Sequence, residues 1–163
     1  MFVNRRVYFA HPFDTWQTPE EAEIEGALRH RGFDVVNPFD KERDLCRKFG
    51  ADNYYDAPTP EFASAIVEAD FELFDSCDAY FGWFPGGVAV VGTAVELAWA
   101  VALGKRVLAL SHRPNPFLVH YSNEFYLDVE SLREGRPTFE SVVAPALTVG
   151  KDSNLDRVQV NSE

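Results

Sequence analysis

The chain has 163 residues, 46% of them hydrophobic and 14% aromatic, enough for one domain whose core needs no disulfides. A formal charge of −11 excludes a nucleic-acid polymer as its main partner, because phosphate backbones are held by basic patches. No apolar run reaches membrane-spanning length and no secretory leader pattern is present. Cys46 and Cys77 lack metal-ligand or disulfide spacing, so a reduced, cytoplasmic protein is expected.

RRVYFA (residues 5–10) carries the β-branched and aromatic content of a short buried strand. The turn HPFDTWQ follows. TPEEAEIEGALRHRG then reads as a helix, with Thr18 as N-cap, Pro19 at the first position, Glu21 at the capping-box position and Gly32 past the end. FDVVNP (33–38) is a second strand, stopped by Pro38. Residues 39–58 form a polar, aromatic-rich connection with one helical turn or two, long for a loop and therefore expected at a lid or an interface. TPEFASAIVEADFELFDSC repeats the Thr-Pro start at Thr59 and Pro60 and is a second main helix. DAYFGWF is a third strand, PGGVAVVG a Gly-rich turn, TAVELAWAVALG a helix ending at Gly104, and KRVLALS a fourth strand. Beyond Ser111, NEFYLDVESL holds a candidate fifth strand and TFESVVAPAL a short helix. Residues 1–149 are thus expected to form a single domain, and 150–163 a disordered polar tail.

Alternating strands and helices imply a mainly parallel sheet covered on both faces. In such sheets ligands bind beyond the carboxyl ends of the strands, where strand order reverses. The segments just after the strands (HPFDTWQ, NPFDKERD, PGGVAVVGTAVE and SHRPNPF) are therefore where chemistry is expected.

Glu96 is the one acid in the apolar run from Phe81 to Leu103. It has two readings: the third-position acid of a capping box headed by Thr93, or a carboxylate held partly dry for use as a nucleophile or general acid. Asp70, Asp75 and Asp78 lie where acids oppose a helix dipole, so they are not there for helix stability. Asp78 suits a strand entrance, whereas Asp70 sits on a helix that can face the crevice. Tyr8 reads as a core tyrosine whose hydroxyl needs a partner, and a carboxylate would serve. His11 is a turn residue or a ligand contact. Phe13, Trp16 and Phe39 are either core or a wall for a flat ring such as a nucleobase. Dinucleotide-binding and P-loop glycine patterns are absent, and neither HExxH nor paired CxxC occurs, so no metal or cofactor is implied.

VYFAHPF, DSCDAYFGWF and GTAVELAWAVALGKRVLAL together resemble the nucleoside 2-deoxyribosyltransferase superfamily, which includes nucleoside 5′-monophosphate N-glycosidases. The resemblance spans residues 5–111, and its most specific block runs from Gly92 to Lys105. It implies a flavodoxin-like three-layer sandwich, taken here with a mainly parallel five-stranded sheet, and cleavage of an N-glycosidic bond. By the same resemblance Glu96 is the nucleophile on the sugar C1′, Tyr8 orients it, and Asp70 assists at the sugar or base. His11, Pro12, Phe13, Phe39, Gly92 and Thr93 would line the pocket. Asn115 and Asn123 are both candidates for an asparagine that the family takes from a neighbouring subunit. A homodimer or higher oligomer is expected, because residues 39–58 and 112–126 offer apolar and aromatic surface for subunit contacts. The partners are a nucleoside or nucleotide and a nucleobase, with no membrane.

The sequence departs from the family pattern in the loop FPGGVAVVG, which lacks the acid that helps protonate the base. That proton is expected from Asp14, Asp40 or Asp70, or from no side chain. The serines of the monophosphate hydrolases are also missing, which favours a free nucleoside, with His11, Arg113 and His120 as the remaining phosphate ligands. Transfer of the sugar to another base is the leading expectation. Hydrolysis of a nucleoside or its 5′-monophosphate, and a non-catalytic nucleotide-binding module, are the alternatives.

Overall fold

A computed structural model describes residues 5–52, 55 and 59–140. The strands are β1 (Arg5–Ala10), β2 (Phe33–Val36), β3 (Ala79–Trp83), β4 (Arg106–Leu110), β5 (Glu124–Tyr126) and β6 (Phe139–Glu140). The helices are α1 (Pro19–His30), α2 (Phe39–Phe49), α3 (Pro60–Asp75), α4 (Val91–Ala102), α5 (Pro116–Tyr121) and α6 (Val129–Glu134). Sheet order is β2-β1-β3-β4-β5-β6, parallel except for the β5–β6 pair. The flavodoxin-like expectation holds with one strand more than the five anticipated. The extra strand has only two residues, both exposed, too short to leave a periodic signal. Of the helix expected over residues 138–147, Phe139 and Glu140 form β6 instead, paired antiparallel to β5, and residues 141–147 lie outside the described residues, as does the 150–163 tail.

Alternation along β1 sets the three layers. Val7 and Phe9 face α1 and α6 in one core that includes Ile24, Leu28 and Leu132. Tyr8 and Ala10 face the other core with Phe74, Leu97 and Ala100, from α3 and α4. Strand order reverses between β1 and β3, whose register pairs Tyr8 with Tyr80. The Thr-Pro starts form as expected: Thr18 accepts from Glu21 N and Thr59 from Phe62 N, both at 3.2 Å. Asp78 accepts from Arg6 N at 3.0 Å, a strand-entrance cap. Among the described residues no helix is long and apolar enough to cross a membrane.

The segment expected as a loop over residues 39–58 instead carries the three-turn helix α2. Its apolar positions are sparse, so its polar composition hides it. Phe39, Glu42 and Cys46 nevertheless fall at helical spacing on its buried face, and Gly50 closes it at φ 69°.

Gly82 fixes how closely α4 approaches the sheet. A Cβ at that position would stand 2.5 Å from Tyr80 Oη and 2.6 Å from Phe84 Cε2. Tyr80 Oη donates to the Thr93 carbonyl at 2.7 Å, tying α4 to β3. Gly82→Ala is therefore expected to destabilise the protein by about 1–3 kcal/mol through overpacking. A lowered urea midpoint at unchanged slope is the measurement that checks this.

Candidate active site

Glu96 is set by α4, which begins at Val91 without a side-chain cap. Thr93 thus lies inside the helix, and Glu96 lies in its second turn, beyond the free backbone N–H groups that a capping-box acid would serve. The capping reading is corrected on that ground. The carboxylate turns instead to β1, where Tyr8 Oη donates to Glu96 Oε1 at 2.6 Å. Tyr8 is wholly buried and Glu96 is 9% exposed. The tyrosine is held edge-on against Phe74, with ring centres 5.4 Å apart. Burial, followed by the Glu96 and Asp70 charges, raises the Tyr8 phenol well above its ordinary value, so it remains a donor.

Two more buried carboxyls complete the group. Asp70 lies on the buried face of α3, one turn before Phe74. Glu42, from α2, is 3% exposed. The Glu42 and Asp70 carboxyls are within hydrogen-bond reach of each other. Glu42 Oε2 and Asp70 Oδ1 are buried and receive no hydrogen bond from any described group. Burial, then the Asp70 and Glu96 charges, pushes Glu42 far above the usual carboxylate range. Burial also raises Asp70, against the lowering effects of Glu42 and the Lys41 charge. Glu96 is pushed up to about 8, mainly by burial with a contribution from Asp70, while the Tyr8 hydrogen bond opposes the rise. Three acids in one dry site therefore bind protons more tightly than they would in water.

The aromatic wall stands beside this group. Phe13 packs against Trp16, Phe39 and Tyr55, with ring centres 5.5–5.8 Å apart. His11 supports the wall from behind rather than lining it. Its side chain is fully enclosed, its Nδ1 is 2.7 Å from Thr15 Oγ1, and its Nε2 is 3.4 Å from Glu21 Oε1. Burial raises the Glu21 carboxyl, but contacts with His11, Gln17 N and Asn37 outweigh it and bring Glu21 below the usual range. Pro12 is buried next to His11.

The remaining expected site residues scatter. Gly92 is exposed in the first turn of α4, and Thr93 is buried under Tyr80. Asn115 caps α5, its Oδ1 accepting from Phe117 N at 2.9 Å. Asn123 Oδ1 accepts from Val107 N at 2.7 Å at the amino end of β5, away from the carboxyl ends of the strands. Asp14 and Asp40, both candidates for protonating the base, are exposed. An apolar cavity of about 1150 Å³ lies between α4 and α5, lined by Phe84, Val90, Ala94, Leu97, Phe117 and Tyr121 among others. It does not include the carboxyl group: Glu96 leaves the same helix toward β1.

Residues 7–145 match the family described as nucleoside 2-deoxyribosyltransferase. The chain belongs to that family. Among solved structures, a 2-deoxyribosyltransferase from Bacillus psychrosaccharolyticus superposes with a TM-score of 0.62 at 19% identity, covering 84% of this chain and 99% of that one. At that identity the likeness speaks for the fold. A conserved protein from Enterococcus faecalis V583 gives a TM-score of 0.46 at 19% identity, covering 80% of this chain and 86% of that one. No curated protein sequence matches. Within this nucleoside 2-deoxyribosyltransferase fold, Tyr8, Asp70 and Glu96 come together. Glu42 is the member that sequence reasoning missed, and the Phe39–Glu42–Cys46 spacing was the signal for it.

Proposed function

We propose that the chain is a nucleoside 2-deoxyribosyltransferase with Glu96 as its nucleophile. The observation that carries this reading is the buried 2.6 Å hydrogen bond from Tyr8 to Glu96 Oε1. It occupies one carboxylate oxygen and leaves Oε2 to attack. As Oε2 bonds to C1′ of the 2-deoxyribosyl group, the C1′–N bond breaks and its electron pair goes to the base, which takes a proton. A second base then attacks C1′ and expels Glu96, so two inversions give retention. Low local polarity favours the neutral ester over two separated charges, and Asp70 stands ready to accept from a sugar hydroxyl or share a proton.

Incubating 2′-deoxyinosine with and without adenine tests the reading. Deoxyadenosine formed only with adenine is the expected result. Hypoxanthine released at the same rate with or without adenine marks a hydrolase instead. No turnover by either route would leave a nucleotide-binding module.

The reading includes a homo-oligomer. Phe117 is 72% exposed and Val91 74%, beside the apolar cavity between α4 and α5. Exposed apolar surface of this kind marks an interaction site. Phe117→Glu is expected to reduce the mass measured by light scattering to that of one chain. A wild type that is already monomeric at micromolar concentration would contradict this part of the proposal.

A further inference from the structure

The loop that lacks an acid leaves the departing base without its proton source, and the exposed Asp14 and Asp40 are poorly placed to supply it from bulk water. Glu42 is placed differently. It lies one turn beyond Phe39 on the buried face of α2, so the residue that carries the aromatic wall and the buried acid share one face. On the transferase reading, a flat ring seated against Phe13 would lie beside that turn. Glu42 is 97% removed from solvent by its 3% exposure, and its Oε2 has no partner among the described groups.

A buried carboxyl facing a second carboxyl favours a shared proton at rest, while the Glu96 charge stands beside the pair, and gives it up more readily once Glu96 has become a neutral ester. We infer that Glu42 is the general acid of the reaction, delivering to the departing nucleobase the proton it shares with Asp70. The assignment rests on the transferase reading given above.

The groups around Glu42 agree on where that proton sits. Asp70 from α3, Glu96 from α4, Cys46 from its own helix, and Tyr8 and Tyr55 are all neutral or negative. Among the described residues two cations flank Glu42 in sequence: Lys41 acts on Asp70 and pairs with Glu72 at 2.9 Å, and Arg43 lies over the Trp16 ring and faces Asp40, so neither is ion-paired with Glu42. The field thus keeps the proton on Glu42 and leaves Asp70 the better anion.

The step balances. Glu96 begins ionised and ends as a neutral ester; the C1′–N electron pair stays on the base nitrogen system, which takes the Glu42 proton. The charge lost at Glu96 reappears on the Glu42–Asp70 pair, and the base departs neutral. In the second half-reaction the incoming base returns its proton to Glu42, so the same group serves as acid and base.

The test compares two leaving groups. In 7-methyl-2′-deoxyguanosine the base already carries a positive charge and leaves without a proton, whereas in 2′-deoxyguanosine it does not. Glu42→Gln is expected to lower kcat on 2′-deoxyguanosine by about 10²- to 10⁴-fold. On the methylated substrate it should stay within about threefold of wild type, because no proton transfer is removed there. Equal losses on both substrates would overturn the assignment and make Glu42 structural. So would a comparable selective loss in Asp14→Asn or Asp40→Asn, which should each stay near wild type. A wild-type protein inert toward both nucleosides would instead overturn the transferase reading itself. Glu42→Gln keeps the side chain's shape and removes an acid, and its thermal midpoint reports folding independently of activity.

Discussion

Glu96→Gln is expected to abolish turnover, with kcat falling by roughly four to six orders of magnitude, while making the protein more stable. The loss follows from chemistry, because the amide is not a nucleophile. The gain follows from the cost of the site. The folded protein holds Glu96 with a pKa of about 8 against an unfolded value of 4.5. Between those values the folded state binds the extra proton, so stability falls as pH rises through about 4.5 to 8 and the full penalty stands above 8. At pH 7 the penalty amounts to about 3 kcal/mol. Glutamine removes it and can still accept from Tyr8. A Tm at least about 5 °C above wild type at pH 7–8, with the difference shrinking toward pH 5, is the expected signature. A Tm below wild type would show instead that the Glu96 carboxylate stabilises the fold.

The same titration governs the rate. On the proposed reaction only the ionised carboxylate attacks, so kcat/KM should rise about tenfold per pH unit below 7 and level off near pH 8, where Glu96 is half ionised. At pH 6 only about one molecule in a hundred is competent. The alkaline limb appears when the Glu42–Asp70 pair loses its shared proton, which burial and the Asp70 and Glu96 charges postpone. A profile already flat from pH 5 to 8 would contradict control of the rate by Glu96 ionisation in that range. The order of proton loss, Glu96 before Glu42, is what lets one buried site hold an anion and an acid together.

Much of this was readable from residues alone, and the failures have physical causes. Thr18 and Thr59 announced their helices because a cap and a following proline act locally, without help from the rest of the fold. Tyr8 and Glu96 were separable from the core because each buries a polar atom that demands a partner, although the partnership spans 88 residues and only the sheet brings them together. Thr93 misled: three residues before a glutamate it imitates a capping box, but α4 starts two residues earlier, where no side chain caps it. Glu42 escaped because α2 is polar on most of its circumference, so its buried stripe of Phe39, Glu42 and Cys46 looked like a loop. Asn123 and His11 were plausible ligands by position, yet Val107 N holds one and Thr15 encloses the other. Such ties form only on folding and leave no mark in local sequence.

The most direct test of the central claim is peptide mass spectrometry of the enzyme quenched in acid during turnover of a 2′-deoxynucleoside without an acceptor base. The expected result is a peptide carrying Glu96 that is heavier by one deoxyribosyl group, lost when adenine is added before the quench and missing in Glu96→Gln. Turnover with no such adduct, or an adduct on a different residue, would contradict it.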